Sequence, residues 1–265
     1  MSTPGEDRFN DSYFYQRSHY DAKYSSTIHE KYLVSNQNLS ELKYVFEALR
    51  PGHEDKFLDI GTGGSGWAVI ETVRIRGCDS IGIDLSSKGA KRASMFAKKE
   101  LGELSSLCQF LVTSATHLPF KDRTFTKVSC LNVLEHVEDD ELVNAEMSRV
   151  LKPGNGRVLI EVPNTYRRYE PLLALLKKRD DRVLGHLRTY QAEALAAQLR
   201  RHGLFFENVA YHTHLIRSFQ SLLWTLFPRL RRPDSRIYWM IEGWEEKLRR
   251  VPTGCTFGIL TARLS

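Results

Sequence analysis

Residues 57–66 read Phe-Leu-Asp-Ile-Gly-Thr-Gly-Gly-Ser-Gly, an apolar strand carrying one acid that runs straight into a glycine turn, with a helical pattern behind it. Gly61, Gly63, Gly64 and Gly66 permit positive φ and let backbone N–H groups come close to a ligand, and a helix opening near Ser65 adds its positive dipole end. Such a segment is a nucleotide cradle. Gly61, Gly63 and Gly66 also satisfy the G-x-G-x-x-G spacing of dinucleotide folds, which seat a pyrophosphate at the helix start. Asp59 separates the readings: a carboxylate two residues before the first glycine repels a pyrophosphate and suits an ammonium or sulfonium group. A P-loop is excluded, since no Gly-Lys-Ser/Thr follows the turn.

Strand-like runs recur at Lys56–Ile60, Ser80–Asp84, Cys108–Thr113, Lys127–Asn132 and Arg157–Pro163, separated by helical stretches at about Gly66–Arg76, Ser87–Leu101 and Asp139–Leu151. This alternation predicts βαβ units, a parallel sheet and right-handed crossovers. Ser86 is placed to cap the helix after the second strand, and Lys152-Pro153-Gly154 to end the one before the fifth. A helix at Gln191–His202 closed by Gly203, a strand at Phe205–Ala210 and a last strand at Thr256–Arg263 complete the pattern. Upstream, a Tyr-rich arm (Tyr13 to Tyr32) precedes a helix from about Leu39 to Leu49, capped by Asn38 or Ser40. The arm either covers a sheet edge or forms a lid over the ligand.

The 265 residues and 42% hydrophobic content suffice for one large domain with insertions. The boundaries read as an N-terminal arm over 1–50 and a main domain over 51–265, with insertions at about 165–188 and 212–250. Residues 1–10 lack the pattern of a secretory leader and no apolar run reaches the length of a membrane span. Cys78, Cys108, Cys130 and Cys255 form no C-x-x-C pair, so neither a zinc nor a redox motif is expected, and no metal; the thiols fit a reducing cytoplasm. The net charge of +6 is uneven: residues 165–188 and 215–250 each carry +4, leaving the remainder at −2. A nucleic-acid enzyme spreads such charge over one face.

Asp84 ends the second strand 25 residues after Asp59, where a carboxylate can take both ribose hydroxyls of a nucleoside. Ser114-Ala115-Thr116-His117-Leu118-Pro119-Phe120 follows the third strand, Asn132-Val133-Leu134-Glu135-His136-Val137 the fourth, and then comes Leu151-Lys152-Pro153-Gly154-Asn155-Gly156. This ordered set, spanning about 110 residues, closely resembles the class I S-adenosylmethionine-dependent methyltransferases, in particular the small-molecule enzymes with LPF, LEHV and LKPGG signatures. The resemblance implies an α/β, Rossmann-like seven-stranded sheet, mostly parallel with an antiparallel last strand, here with helical cap insertions. It assigns Asp59 and the glycines (Gly61, Gly63, Gly66) to the methionine portion, Asp84 to the ribose, and Ser114 and Ala115 to the adenine, with Thr62, Leu85 and Asn132 completing the cofactor set. The sequence departs from the family pattern at Ser114, where an acid is usual, and at Ser65, where a third alternating glycine is common.

Methyl transfer from a sulfonium is an in-line displacement, so orientation can supply most of the catalysis, and a base is needed only where the acceptor must lose a proton. His136, just past the fourth strand at the carboxyl edge, is the candidate base or acceptor contact, and Glu135 on the same edge is a candidate substrate contact. His186-Leu187-Arg188-Thr189-Tyr190 looks like the His-x-Arg-x-Tyr/Phe element that borders the acceptor in the family, which makes His186 a second catalytic candidate and Arg188 and Tyr190 substrate contacts. Residues 170–179 and 215–250, with Trp224, Trp239 and Trp244 among arginines, have the apolar-face, basic-flank character of interfacial helices or of a plain helical cap. The expectation is a cytoplasmic or membrane-peripheral methyltransferase of a small-molecule or lipid-linked acceptor, at oxygen. RNA or protein methylation is the alternative, followed by an NAD-dependent oxidoreductase or a non-catalytic cofactor-binding protein. No base-flipping tetrad is present to favour nucleic acid.

Overall fold

The computed structural model describes residues 16–24, 32, 36–165, 185–214, 236–252 and 255–264. In chain order these form helix α1 (residues 16–24), α2 (Asn36–Leu49), β1 (Lys56–Ile60), α3 (Trp67–Arg76), β2 (Asp79–Asp84), α4 (Ser87–Leu101), β3 (Cys108–Val112), β4 (Lys127–Leu131), α5 (Asp140–Val150), β5 (Arg157–Pro163), α6 (Ala192–Arg201), β6 (Leu204–His214), α7 (Arg236–Leu248) and β7 (Cys255–Leu264).

The strands make one sheet in the order β3-β2-β1-β4-β5-β7-β6. All neighbouring pairs from β3 to β5 are parallel, and β7 runs antiparallel to both β5 and β6. The expected seven-stranded sheet with an antiparallel last strand is therefore present. Chain order reverses between β2-β1 and β1-β4, which opens a crevice beyond the carboxyl ends of those strands, where sheets of this kind bind ligands.

Both sheet faces are covered, so the central strands read as nearly continuous apolar runs. Leu58, Ile60, Val128, Val158 and Ile160 pack with Val143, Met147 and Val150 of α5 and with Leu195 and Leu199 of α6. On the opposite face, Phe57 and Leu159 meet Tyr44, Val45 and Leu49 of α2 and Ala68 and Val69 of α3. The period of two also fixes where polar side chains go: Asp59 follows Phe57 onto the α2/α3 face, and Glu161 follows Leu159.

Local signals set most element ends. The Ser86 side chain accepts from the Gly89 N–H at the start of α4, as expected, and Asp139 accepts from Leu142 N–H at the start of α5. Two expectations are corrected. α2 begins at Asn36, so Asn38 and Ser40 lie inside the helix and not at its start; Asn38 donates to Glu41 within it. β6 runs on to His214, four residues past the expected end, because its ladder with β7 continues to Cys255. Among the described residues no helix is long and apolar enough to cross a membrane.

Candidate active site

The turn after β1 has the backbone its glycines imply. Gly61, Gly63 and Gly66 have φ of 76°, 64° and 59°. A Cβ on Gly61 would sit 2.3 Å from Val133 Cγ2, and one on Gly64 2.7 Å from the Tyr24 ring. Only bare backbone fits there. Gly61 and Thr62 both donate to the Ile83 carbonyl, which ties the turn to β2.

Asp84, at the end of β2, holds the cradle together. Its Oδ2 accepts from Gly63 N–H and its Oδ1 from Ser86 N–H, each at 2.8 Å. Burial raises its pKa, with those two backbone donors pulling the other way. A carboxylate has about four acceptor positions, so two remain for the hydroxyls of a ribose. Asp59 lies beneath the turn, buried, and accepts from Ser129 Oγ at 2.6 Å. Burial pushes it up to about 6, against the hydrogen bonds from Ser129 and Thr62.

Among the remaining expected cofactor residues, Ser114 Oγ bonds Thr116 Oγ1 at 2.8 Å and accepts from Thr116 N–H, so it shapes the loop beyond β3, with Ala115 packed against the core. Leu85 follows Asp84 directly and is partly buried. Asn132 turns left-handed (φ 55°) after β4 and donates from Nδ2 to Glu161 Oε1 at 3.2 Å. Glu161 also meets His212 Nε2 at 3.2 Å; burial alone would lower the imidazole pKa, but the Glu161 carboxylate outweighs it and raises it.

At the acceptor side, Glu135, His136 and His186 come together, with one ligating atom from each lying within 4.8 Å of the others. Glu135 is fully buried. The two imidazole centroids are 4.9 Å apart, edge to face. Burial, then the neighbouring His186, lowers the His136 pKa to about 4, so this ring is neutral at physiological pH. Arg188 and Tyr190, expected beside the acceptor, are engaged elsewhere: Arg188 pairs with Asp140 at 2.8 Å and donates to the Glu138 carbonyl, and the buried Tyr190 hydroxyl donates to Asp140 at 2.7 Å. Both pin the 185–190 loop to the start of α5.

Residues that motif reading did not single out roof the crevice. In α1, Tyr24 lies over Gly64 and Gly89, Asp21 accepts from Ser86 Oγ and from Lys88 N–H, and Gln16 Nε2 donates to the His136 carbonyl. Tyr20 stacks with Tyr24 and meets the His136 ring edge-on, with centroids 6.0 Å apart. Burial, then the Glu135 and Asp84 carboxylates, push its phenol up to about 12. The Tyr-rich composition of the arm is the signal in the sequence that points to this roof. Of the expected membrane-facing segments at 170–179 and 215–250, the first and the 215–235 part of the second, including Trp224, lie outside the described residues. Trp244 of α7 is described and 47% exposed.

Residues 58–160 match a protein family described as a methyltransferase domain. The norajmaline N-methyltransferase of Rauvolfia serpentina is 33% identical over 159 residues, 57% of this chain and 53% of that protein. The ubiquinone biosynthesis O-methyltransferase of Chromobacterium violaceum is 33% identical over 99 residues, 37% of this chain and 40% of the relative. The chain thus spans about half or less of the length of these curated relatives. A solved geranyl diphosphate methyltransferase in complex with GPP and sinefungin superposes with a TM-score of 0.64 at 17% identity, covering 94% of this chain and 84% of that one. That likeness shows the fold.

Proposed function

Because residues 58–160 form a class I S-adenosylmethionine-dependent methyltransferase domain, we propose that the protein methylates a small-molecule or lipid-linked acceptor at oxygen. The residues present fit the donor: a glycine cradle that a Cβ would fill, a buried acid at Asp59 for the ammonium end, and Asp84 with two acceptor positions for a ribose. Bound there, S-adenosylmethionine supplies an electrophilic methyl group. The chain's part is to aim an acceptor at it and take up the acceptor's proton.

The observation that carries the acceptor class is the roof. α1 crosses from the glycine turn to His136, and Tyr20 stands under the influence of both Asp84 and Glu135. The space between donor and acceptor groups is therefore covered, which favours a small molecule or the head of a lipid-linked one over a duplex or a folded protein surface. A neutral imidazole beside a buried carboxylate can accept a hydroxyl proton, which supports oxygen as the acceptor atom. The two relatives, by name an N-methyltransferase and an O-methyltransferase, agree with a small acceptor.

The donor half is tested by calorimetric titration with S-adenosylhomocysteine and, in parallel, with NADH. Binding of the thioether nucleoside alone supports the reading, and binding of NADH refutes it. Contact with a membrane through 170–179 and 215–250 belongs to the same proposal. Flotation with anionic vesicles at low salt tests it, and a protein that stays at the bottom of the gradient removes it.

A further inference from the structure

We infer that Glu135, His136 and His186 form a site for a divalent first-row metal ion of the zinc class, with at least one coordination position open toward the acceptor. The three side chains supply one carboxylate and two imidazoles, and their donor atoms lie within 4.8 Å of one another. Ligands at about 2.1 Å around a tetrahedral ion stand about 3.4 Å apart, so modest side-chain rotation closes the set. Two imidazoles with one carboxylate favour zinc, cobalt or ferrous iron over magnesium or calcium, which prefer all-oxygen shells. Three protein ligands with an open position are the pattern of a reactive rather than a structural site.

The surroundings prepare this geometry. His136 Nδ1 faces the Gly185 carbonyl at 3.4 Å; a carbonyl only accepts, so Nδ1 carries the hydrogen and Nε2 keeps its lone pair for a metal. The ligands come from segments 50 residues apart, and those segments are stitched together. Leu187 N–H donates to the Glu135 carbonyl at 2.8 Å, Tyr190 Oη donates to the Leu134 carbonyl at 3.1 Å, and Arg188 binds both Asp140 and the Glu138 carbonyl. Arg188 and Tyr190 thus act as positioning residues that hold His186 against the other two. A site assembled this way has no local spacing motif, which is why no metal is expected from the sequence.

Resting on the proposed methyl transfer, and with the metal taking over from His136 the task of making the acceptor give up its proton, the open position takes the acceptor oxygen and lowers its pKa. The hydroxyl proton passes to solvent, the oxygen's electron pair forms the new O–CH3 bond, and the donor sulfur keeps the pair of the bond that breaks.

The test uses Co2+ as probe. The full chain, treated with chelator and dialysed, is titrated with CoCl2 without donor, and the visible absorption of protein-bound cobalt is followed. One ion per chain with a saturating band is expected, lost in His186→Ala and His136→Ala and kept in His53→Ala, an exposed control. Arg188→Ala should weaken cobalt binding at least threefold without removing a ligand. S-adenosylhomocysteine binding by each variant shows that it is folded, and keeps failure of the metal site distinct from failure of the donor site. If His186→Ala does not fold, His186→Asn replaces it. No band, or a band of equal strength in the histidine variants, overturns the inference.

Discussion

Replacing Asp84 with alanine should weaken donor binding about a hundredfold while leaving the sheet intact. The carboxylate spends one acceptor position per oxygen on Gly63 and Ser86 N–H, each at 2.8 Å, and has one left on each for a ribose hydroxyl. A hydrogen bond to a charged group contributes about 1.5–3 kcal/mol, so two contribute about 3–6 kcal/mol. The burial that raises the Asp84 pKa also means that the ionised side chain costs something to hold, which places the expected loss at the low end, about 3 kcal/mol. That is roughly a hundredfold or more in Kd. Asp84→Asn should not rescue, because its amide NH2 would face one of the two backbone donors. Calorimetric titration with S-adenosylhomocysteine reads the loss, with circular dichroism and thermal melting confirming the fold. A change of less than threefold in Asp84→Ala would refute the ribose assignment and reduce Asp84 to a brace between two turns.

Asp59 sets a pH dependence whose sign differs between the free and bound protein. Its folded pKa of about 6 exceeds the unfolded value of 3.8, so its charging destabilises the free protein as pH rises from about 4 to 6, by about 3 kcal/mol at most. Asp59→Asn should therefore raise the melting temperature at pH 8 and not at pH 4; equal shifts at both would contradict this. Donor affinity should fall about tenfold per pH unit below 6 and lose that slope in Asp59→Asn, as titrations at pH 5, 6 and 7 would show. Gly61→Ala combines a left-handed backbone with a Cβ 2.3 Å from the stiff Val133 side chain, costing about 2–5 kcal/mol and a melting shift on the order of 5–15 °C; a shift under 2 °C would mean the turn is adaptable. Tyr24→Ala should weaken S-adenosylhomocysteine about tenfold, chiefly through faster dissociation in stopped flow. Unchanged or tighter binding would show that the ring stands in the donor's place instead of closing over it.

The elements that sequence reading places well are those written locally. The limits of β1, α4 and β5 follow from apolar runs and a Ser86 cap, each set by neighbours within a few residues. Asp59 and Asp84 are legible because a strand end and a glycine turn fix their position in any fold of this type. What could not be read depends on pairing over long separations. β6 outruns its apolar stretch because β7 offers it a ladder, and α2 starts before its apparent caps. Arg188 and Tyr190 sit in a motif that implied the acceptor, yet their partner is Asp140, about 50 residues earlier. The same stitching brings His186 to Glu135 and His136, a contact with no counterpart in local spacing. The roof by α1 was visible only as an excess of tyrosine.

The most direct test of the proposed function is to incubate the purified protein with S-adenosylmethionine labelled at the methyl group and an unfractionated cell extract, then separate solvent-extractable, RNA and protein fractions. The account predicts that label accumulates in the solvent-extractable fraction and that Asp84→Ala abolishes it; label confined to RNA or protein would contradict the small-molecule or lipid-linked acceptor.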